Sequence, residues 1–232
     1  GNSGVGIVIS GDSVDYLIGG SSTADRNIIT GNGDAGIEGS GRRFNPVKVL
    51  DGTVIQNNWI GLAPDGTTGA GNGNSGIALA GPGNNVQVIN NVIADNDDRG
   101  INTTRLTGAV VQGNRIGTTA DGSAARGNGS FALECDDCPN LQMGGTGTNE
   151  GNLIGAGFVR LISDGDAVSG VVIEGNVIGL DAAGTAEATD GFGGGLTLNG
   201  DFDSPRIGGS TDAARNVIAN TSDGGGFNTF DA

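Results

Sequence analysis

Two pairs of adjacent aspartates come nearest to a catalytic pattern in this sequence. Asp97 and Asp98 stand in NDDRG, and Asp136 and Asp137 stand in ECDDC. A glycoside hydrolase needs two carboxyl groups about 5 to 9 Å apart, one as acid and one as base or nucleophile. Aspartate is equally typical of solvated turns, because it bonds its own backbone there. We interpret both segments as surface turns and keep the four aspartates as candidate catalytic residues.

A second group of aspartates recurs in three related segments with the composition of a calcium site. Asp65, Asp121 and Asp181 lie in LAPDGTTGAGN, TTADGSAARGN and LDAAGTAEATDG. Calcium takes roughly six to eight oxygen ligands, which stacked loops rich in Asp, Asn and Gly supply. The GGxGxDxUx consensus of calcium-binding β-rolls is missing from the sequence. Two interpretations stay open: ligands of Ca²⁺, or turn residues that bond their own loops.

Trp59 is the single tryptophan and the main candidate for binding a ligand. It stands between Asn58 and Ile60 in NNWIGL, so on a strand its ring points to the side opposite both neighbours. An exposed indole offers a sugar ring a broad apolar face with one polar edge. The alternative is an outward ring that is covered by a loop.

The two cysteines, Cys135 and Cys138, flank the second aspartate pair in CDDC. A zinc site usually needs four ligands, and this sequence has no histidine and no further cysteine. The following PNLQMGG is not the helix that a thioredoxin-like site requires. A local disulfide and two free thiols both fit the pattern.

Charge limits the partners that this chain can bind. There are 26 acidic and 11 basic residues among 232, a net charge of −15. Phosphate-rich surfaces would repel such a chain, so we expect no nucleic-acid partner. No run approaches the roughly 18 apolar residues of a membrane span, so we expect no membrane insertion.

One phrase, N-x-I, recurs along the whole chain at intervals of 23 to 40 residues. Self-similarity at this period is the signature of a solenoid. The anchoring asparagines are Asn27, Asn58, Asn91, Asn114, Asn152, Asn176 and Asn216.

The segments between the glycines are short and rich in β-branched residues, and apolar and polar residues alternate in them. Examples are GTVIQNN, VQVINNVIA and GVVIEGNVI. This period of two predicts strands, two or three to each turn of the solenoid. Stacked at one corner, the anchor asparagines would bond each other in a ladder. Six isoleucines, two residues after their asparagines, would form an inward stack: Ile60, Ile93, Ile116, Ile154, Ile178 and Ile218.

These repeats resemble the right-handed parallel β-helix proteins, the pectate-lyase-like superfold. The pattern N-x-I-G-x-x-x-x-G-T, alternating with I-G-G…N-x-I, is similar to repeats of large secreted or surface-exposed bacterial proteins. The resemblance covers nearly the whole chain and rests on scaffold residues. It implies an all-β fold: one right-handed parallel β-helix of about seven to eight rungs, with an Asn ladder and inward Ile/Val stacks.

The resemblance implies less about activity, because fold does not imply function. We expect residues 1–232 to form one β-helix domain, a piece of a longer chain. We expect a non-catalytic, adhesin-like structural protein of the extracellular space or cell surface, able to stack end to end into a filament. Two alternatives stay open: a polysaccharide lyase or glycoside hydrolase of this fold, and a module that binds carbohydrate or calcium without turnover. A non-catalytic structural protein would require no cofactor.

Overall fold

The computed structural model describes residues 2–10, 14–40, 50–185 and 194–219, together with the backbone of a last strand, Phe227–Phe230. Regular structure in these residues is almost entirely β, with two short 3-10 turns at Thr23–Asp25 and Asp212–Ala214. The strands form three long sheets, here called sheets 1, 2 and 3, and one additional pair. All of the strand pairings are parallel.

Each long sheet takes one strand from each successive segment of the chain. Sheet 1 contains β1 (Ile7–Ile9), β4 (Ile37–Ser40), β7 (Ile77–Asn84), β10 (Ile101–Thr107), β13 (Phe131–Asp136), β16 (Phe158–Ile162), β20 (Gly195–Asn199) and β24 (Phe227–Phe230). Sheet 2 contains β2 (Leu17–Gly19), β5 (Val54–Gln56), β8 (Gln87–Ile89), β11 (Val110–Gln112), β14 (Gln142–Gly144), β18 (Val172–Glu174) and β22 (Arg206–Ile207). Sheet 3 contains β3 (Ile28–Ile29), β6 (Trp59–Ile60), β9 (Val92–Ile93), β12 (Arg115–Ile116), β15 (Leu153–Ile154), β19 (Val177–Ile178) and β23 (Val217–Ile218). The additional pair is β17 (Val168–Ser169) and β21 (Phe202–Asp203).

The chain passes through sheets 1, 2 and 3 in turn and then returns to sheet 1. We call each circuit a rung: β1, β2 and β3 form rung 1, and β20, β22 and β23 form rung 7. Strand β24 adds an eighth strand to sheet 1. The parallel β-helix predicted from the repeats is confirmed, with its rung count, and each rung contributes three strands to the long sheets.

The core is a stack of aliphatic side chains inside the three sheets. Ile60 pairs in register with Ile93, and the same register continues through every strand of sheet 3. Five of the six isoleucines predicted to face inward are fully buried, and Ile218, in rung 7, packs against the core while partly buried. Full burial of one such side chain stabilises a fold by about 1.5–3 kcal/mol. The alternation read from the sequence therefore fixes which face of each strand is inside.

The predicted asparagine ladder is present in full between sheets 2 and 3. Each anchor side chain donates from Nδ2 to Oδ1 of the next anchor, at 2.9 to 3.1 Å, from Asn27 through to Asn216. From Asn58 onward, the amide also donates to a backbone carbonyl of the preceding rung, as Asn114 does to Val88 at 2.7 Å. The ladder thus satisfies polar groups that the corners bury.

A second asparagine ladder runs between sheets 3 and 1, and the sequence analysis missed it. Asn32 donates to Asn72, Asn72 to Asn96 and Asn96 to Asn128, at 2.7, 2.7 and 2.9 Å. Three of these four residues stand in a Gly-Asn-Gly triplet, which was the available signal. The ladder ends at Asn128, which follows β12 in rung 4. In rung 5 only residues 155–157 join β15 to β16, and none of them is an asparagine.

Candidate functional site

The three repeated segments form long loops that leave sheet 3 after β6, β12 and β19 and lead back to sheet 1. They begin at residues 61, 117 and 179; the third is described as far as residue 185. The first two fold back on themselves through antiparallel bridges, Leu62 with Gly69 and Thr118 with Ala125. The loops lie on the same side of the solenoid, two rungs apart.

The tips of the three loops are hydrogen-bonded to one another. The backbone N–H of Ala120 donates to the carbonyl of Gly66 at 2.9 Å, and that of Ala182 donates to Gly122 at 3.0 Å. Arg126 adds a bond from Nε to the carbonyl of Thr67 at 3.0 Å. The loops therefore form a continuous wall along the solenoid rather than three separate projections.

Asp65 is held by the backbone and side chains of its own loop. Its Oδ1 accepts hydrogen bonds from the N–H groups of Thr67 and Thr68, both at 2.8 Å, and its Oδ2 accepts the Thr68 hydroxyl at 2.6 Å. The Thr68 hydroxyl bond, followed by the backbone bonds, lowers the pKa of Asp65. These contacts are those of a turn-forming aspartate.

Asp121 and Asp181 are also bonded within their loops. Asp121 accepts the Thr119 hydroxyl at 2.6 Å and the N–H of Ser123 at 3.0 Å, which lowers its pKa to about 2. Asp181 accepts the N–H of Thr185 at 2.9 Å. Among the described residues no three His, Cys, Asp or Glu side chains are grouped as a metal site. Calcium binding by these loops stays a prediction.

Trp59 faces outward, as expected for a residue between two inward neighbours, and its ring lies between Arg26 and the first loop. The guanidinium carbon of Arg26 lies 4.3 Å from the ring centroid, and Arg26 is anchored by hydrogen bonds to Asn57. On the loop side, a Cβ added to Gly66 would lie 2.9 Å from the Trp59 ring. The indole packs against the cluster of Leu62, Val92 and Ala94 and is partly buried. Ligand binding by Trp59 stays a prediction.

Beside Trp59 begins a groove of about 660 Å³ that crosses the outer face of sheet 3. Its length covers rungs 2 to 6, about 19 Å at the ~4.8 Å spacing of neighbouring strands. One rim is the loop wall, with Ala120 and residues 181–184. The other rim is the corner between sheets 2 and 3, where Asn57, Asn90 and Asn149 have a left-handed backbone.

The floor of the groove is the row of residues at the middle position of N-x-I. In register, Trp59, Val92, Arg115, Leu153 and Val177 follow one another along the solenoid. Four of these five side chains are apolar, and Arg115 is exposed among them. The Arg115 guanidinium makes no hydrogen bond or ion pair with any residue that the structure describes. The aligned repeats contained this signal, although the sequence analysis did not use it.

The outer face of sheet 1 carries an ion-pair cluster. The buried carboxylate of Glu134 accepts a hydrogen bond from Arg160 Nε at 2.7 Å and forms an ion pair with Arg99, whose Nε lies 2.9 Å from Glu134 Oε1. The Phe131 ring lies near both guanidiniums, at 6.0 and 4.1 Å from its centroid. Arg99 also pairs with Asp98. Both carboxylate oxygens of Glu134 are therefore paired with arginines.

The four candidate catalytic aspartates lie in two separate places. Asp98 precedes β10 and accepts the Ser130 hydroxyl at 2.7 Å, and Asp97 beside it is exposed. Asp136 ends β13, six positions further along the strand direction, which at ~3.3 Å per residue is about 20 Å away. The two pairs do not face each other at the spacing of a hydrolase site.

Asp136 and Asp137 differ in their surroundings. Asp137 Oδ1 accepts the N–H of Asp164 at 3.0 Å. Oδ1 of Asp136 is buried and has no hydrogen-bond partner among the described residues. Burial, followed by the charges of Asp137 and Asp164, raises the pKa of Asp136. These surroundings favour the protonated form of Asp136.

Cys135 and Cys138 form a disulfide, which settles the choice that the sequence left open. Both residues are buried at the end of β13, and the Thr103 hydroxyl lies 2.9 Å from Cys135 Sγ. The disulfide is therefore part of the buried core of rung 5. Such bonds persist in oxidising compartments.

Within the described residues, no helix has the length and apolar character to cross a bilayer. Comparisons with models of protein families, with curated proteins and with solved structures gave no significant match. The groove, the loop wall and the acidic surface must therefore be interpreted from their own chemistry.

Proposed function

We propose that this chain is a non-catalytic structural β-solenoid of the extracellular space or cell surface that stacks end to end with rungs like its own. The location of the exposed apolar side chains supports this proposal. Among the described residues, the exposed large apolar side chains belong to the first rung and to rung 7: Val8 (60% exposed), Val14 (45%), Leu17 (61%), Ile28 (42%) and Val217 (39%).

Apolar side chains at the equivalent positions of inner rungs are less exposed. In the row of Ile28, Trp59 is partly buried and Val92 is buried, because each has a neighbouring rung on both sides. Strands β1, β2 and β3 also leave one backbone edge unpaired within the described structure. An edge of this kind is a template for a further strand, and one more rung would cover both the edge and the apolar row.

The location and the absence of catalysis have separate support. The Cys135–Cys138 disulfide favours an oxidising environment, and a net charge of −15 favours solubility. Against catalysis, Glu134 and Asp98 are already paired with arginines. The repeated residues of the chain bond one another along the axis, which supports a scaffold role.

The test is electron microscopy of the purified chain, with calcium and with a chelator. We expect rods that join end to end with a ~4.8 Å axial repeat. Leu17→Lys should give single short rods, because a charge at the open edge opposes strand pairing. Gln87→Lys adds the same charge in the same row of sheet 2, but in rung 3, and should still form filaments.

Single rods of the unaltered chain in both conditions would overturn the stacking proposal. Filaments that dissolve only in chelator would support the calcium prediction for Asp65, Asp121 and Asp181. A parallel screen for new reducing ends on linear polysaccharides tests the absence of catalysis. Turnover that Asp136→Asn abolishes would instead favour a hydrolase or lyase.

A further inference from the structure

We propose that the outer face of sheet 2 binds the same face of a second copy of this chain, antiparallel to it, about a two-fold axis that passes through rung 4 at Val110. This contact is separate from end-to-end stacking, because it uses the side of the solenoid and leaves both end rungs open. Three features of the face support it: its lack of charge, the order of its side chains and the regular spacing of its strands.

The outer face of sheet 2 is uncharged over five rungs of a strongly acidic chain. Strands β2, β5, β8, β11 and β14 contain no charged residue, although the net charge of the chain is −15. Charged residues enter this sheet in rungs 6 and 7, where Glu174 pairs with Arg206 at 2.6 Å. Two acidic copies repel each other, so they can approach at the lowest electrostatic cost through this face.

The other two long sheets offer less suitable faces in the described part of the chain. Beside sheet 3 stands the loop wall, and Arg115 lies on the floor of the groove behind it. On sheet 1 the outward residues include Glu38, Glu134 and Arg160. Sheet 2 therefore provides the long face without a loop wall and with the least charge.

The first residues of five successive strands in sheet 2 form an outward row with a symmetric order. From rung 2 to rung 6 the row reads Val54, Gln87, Val110, Gln142 and Val172. Each of these side chains is partly exposed. The order of residue types is the same from either end, with Val110 at its centre, and neighbouring strands are ~4.8 Å apart throughout. A second copy turned end for end therefore presents the same row at the same spacing.

A two-fold axis along the strand direction at rung 4 pairs like side chains with like. Val110 faces Val110 of the second copy, Val54 faces Val172, and Gln87 faces Gln142. Burial of the methyl groups stabilises the valine pairs. A carboxamide both donates and accepts hydrogen bonds, so facing glutamines can bond each other. This arrangement is isologous, because each contact occurs twice by symmetry.

A two-fold axis parallel to the solenoid matches the face less well. It would set the row of Val110 against the second outward row, so that Val54 faces Gln56 and Val110 faces Gln112. An amide buried against methyl groups loses its hydrogen bonds to water and gains none. The pattern of the two rows therefore favours the antiparallel contact.

The matched surface is small, which determines how strong the contact can be. Four intervals of ~4.8 Å and strands of three residues at ~3.3 Å each give a footprint of about 19 by 10 Å. This is well below the roughly 800 Å² that each partner buries in a stable interface. The dimer should therefore be weak and form at high protein concentration. Salt should strengthen it, because salt screens the repulsion between the two acidic copies.

The experiment is cross-linking through one introduced thiol, since the two native cysteines are joined to each other. Val110→Cys places this thiol beside the two-fold axis, so a bismaleimide that spans the ~10 Å between packed sheets should join two copies. Gln56→Cys is the matched control on the same face. Its two thiols would lie four rungs apart along the solenoid, about 19 Å, and should not be joined. Both thiols should react alike with a monofunctional maleimide.

End-to-end stacking cannot imitate this result. Equivalent residues of stacked copies are at least seven rungs apart, about 34 Å, which is beyond the reach of the cross-linker. Failure of the filaments in electron microscopy and failure of the cross-link are therefore separate outcomes.

A charged variant tests the same face without a thiol. In an Ile28→Lys background, whose charge at an exposed position of the open edge opposes stacking, Val110→Glu sets two like charges against each other across the axis. It should weaken dimerisation at least about tenfold in sedimentation velocity at high salt. Thr197→Glu adds the same charge to the outer face of sheet 1 and should not. No cross-linking of Val110→Cys, equal cross-linking of both thiol variants, or a dimer that salt weakens would each overturn the proposal.

Discussion

At the scale of single residues, the ladder asparagines have the most contacts to lose. Asn114 donates to Val88 O and to Asn152 Oδ1, and it accepts the N–H and the side chain of Asn91. All of these groups are buried, so removing the amide leaves several of them without partners. Each unsatisfied buried group costs about 1–3 kcal/mol.

We therefore expect Asn114→Ala to lower the free energy of unfolding by about 3 kcal/mol or more, as measured by urea denaturation. Asn102→Ala is the matched control, because Asn102 lies on the outer face of sheet 1 and is half-buried. It should change the stability by about 0.5 kcal/mol at most. Equal losses in both variants would contradict the role assigned to the ladder.

Asp136 provides a test at the same scale through pH. Its folded-state pKa is raised by burial, so its ionisation destabilises the fold. There is no cost below the unfolded pKa of about 3.9; the cost develops as the pH rises through that value to the folded pKa and then persists. Asp136→Asn should raise the denaturation midpoint at pH 7 and leave it unchanged at pH 3. Asp201→Asn, at an exposed site, should leave the denaturation midpoint unchanged at both pH values.

At the scale of elements, the loop wall depends on glycines at its tips. Gly66 has φ +71°, and a Cβ there would lie 2.9 Å from both Ala120 Cβ and the Trp59 ring. The aligned glycine of the third loop, Gly184, has φ +67°, and no atom of the described residues lies within 4 Å of such a Cβ. The two positions therefore separate backbone strain from contact with the neighbouring loop.

We expect Gly184→Ala to cost only the left-handed backbone energy of a residue with a Cβ, about 1–2 kcal/mol. Gly66→Ala should cost more and should shift the emission of Trp59, since the loop must move off the ring. Thermal unfolding and tryptophan fluorescence measure both effects. If the two variants behave alike, contact between the first loop and the ring contributes little.

At the scale of the whole molecule, the solenoid distributes its chemistry by face. The interior holds the aliphatic stack, the two corners hold the asparagine ladders, and sheet 1 carries paired charges on its outside. The loop wall and the exposed corner turn the outer side of sheet 3 into a groove. The apolar ends and the groove are separate surfaces.

The sequence by itself determined the repeating parts of this protein: the parallel β-helix, the first asparagine ladder, the inward isoleucines, the outward Trp59 and the common side of the three loops. These features follow from local patterns, because stacking copies of one motif places equivalent residues above one another. Only the tertiary structure decided the second ladder, the bonds of Asp65 and Asp121 within their own loops, the pairing of Glu134 with two arginines, and the position of Arg115 in a groove. The second ladder and the Glu134–Arg160 pair join residues that are 24 to 40 positions apart at uneven intervals, and the register that brings them together depends on how each irregular loop closes its rung.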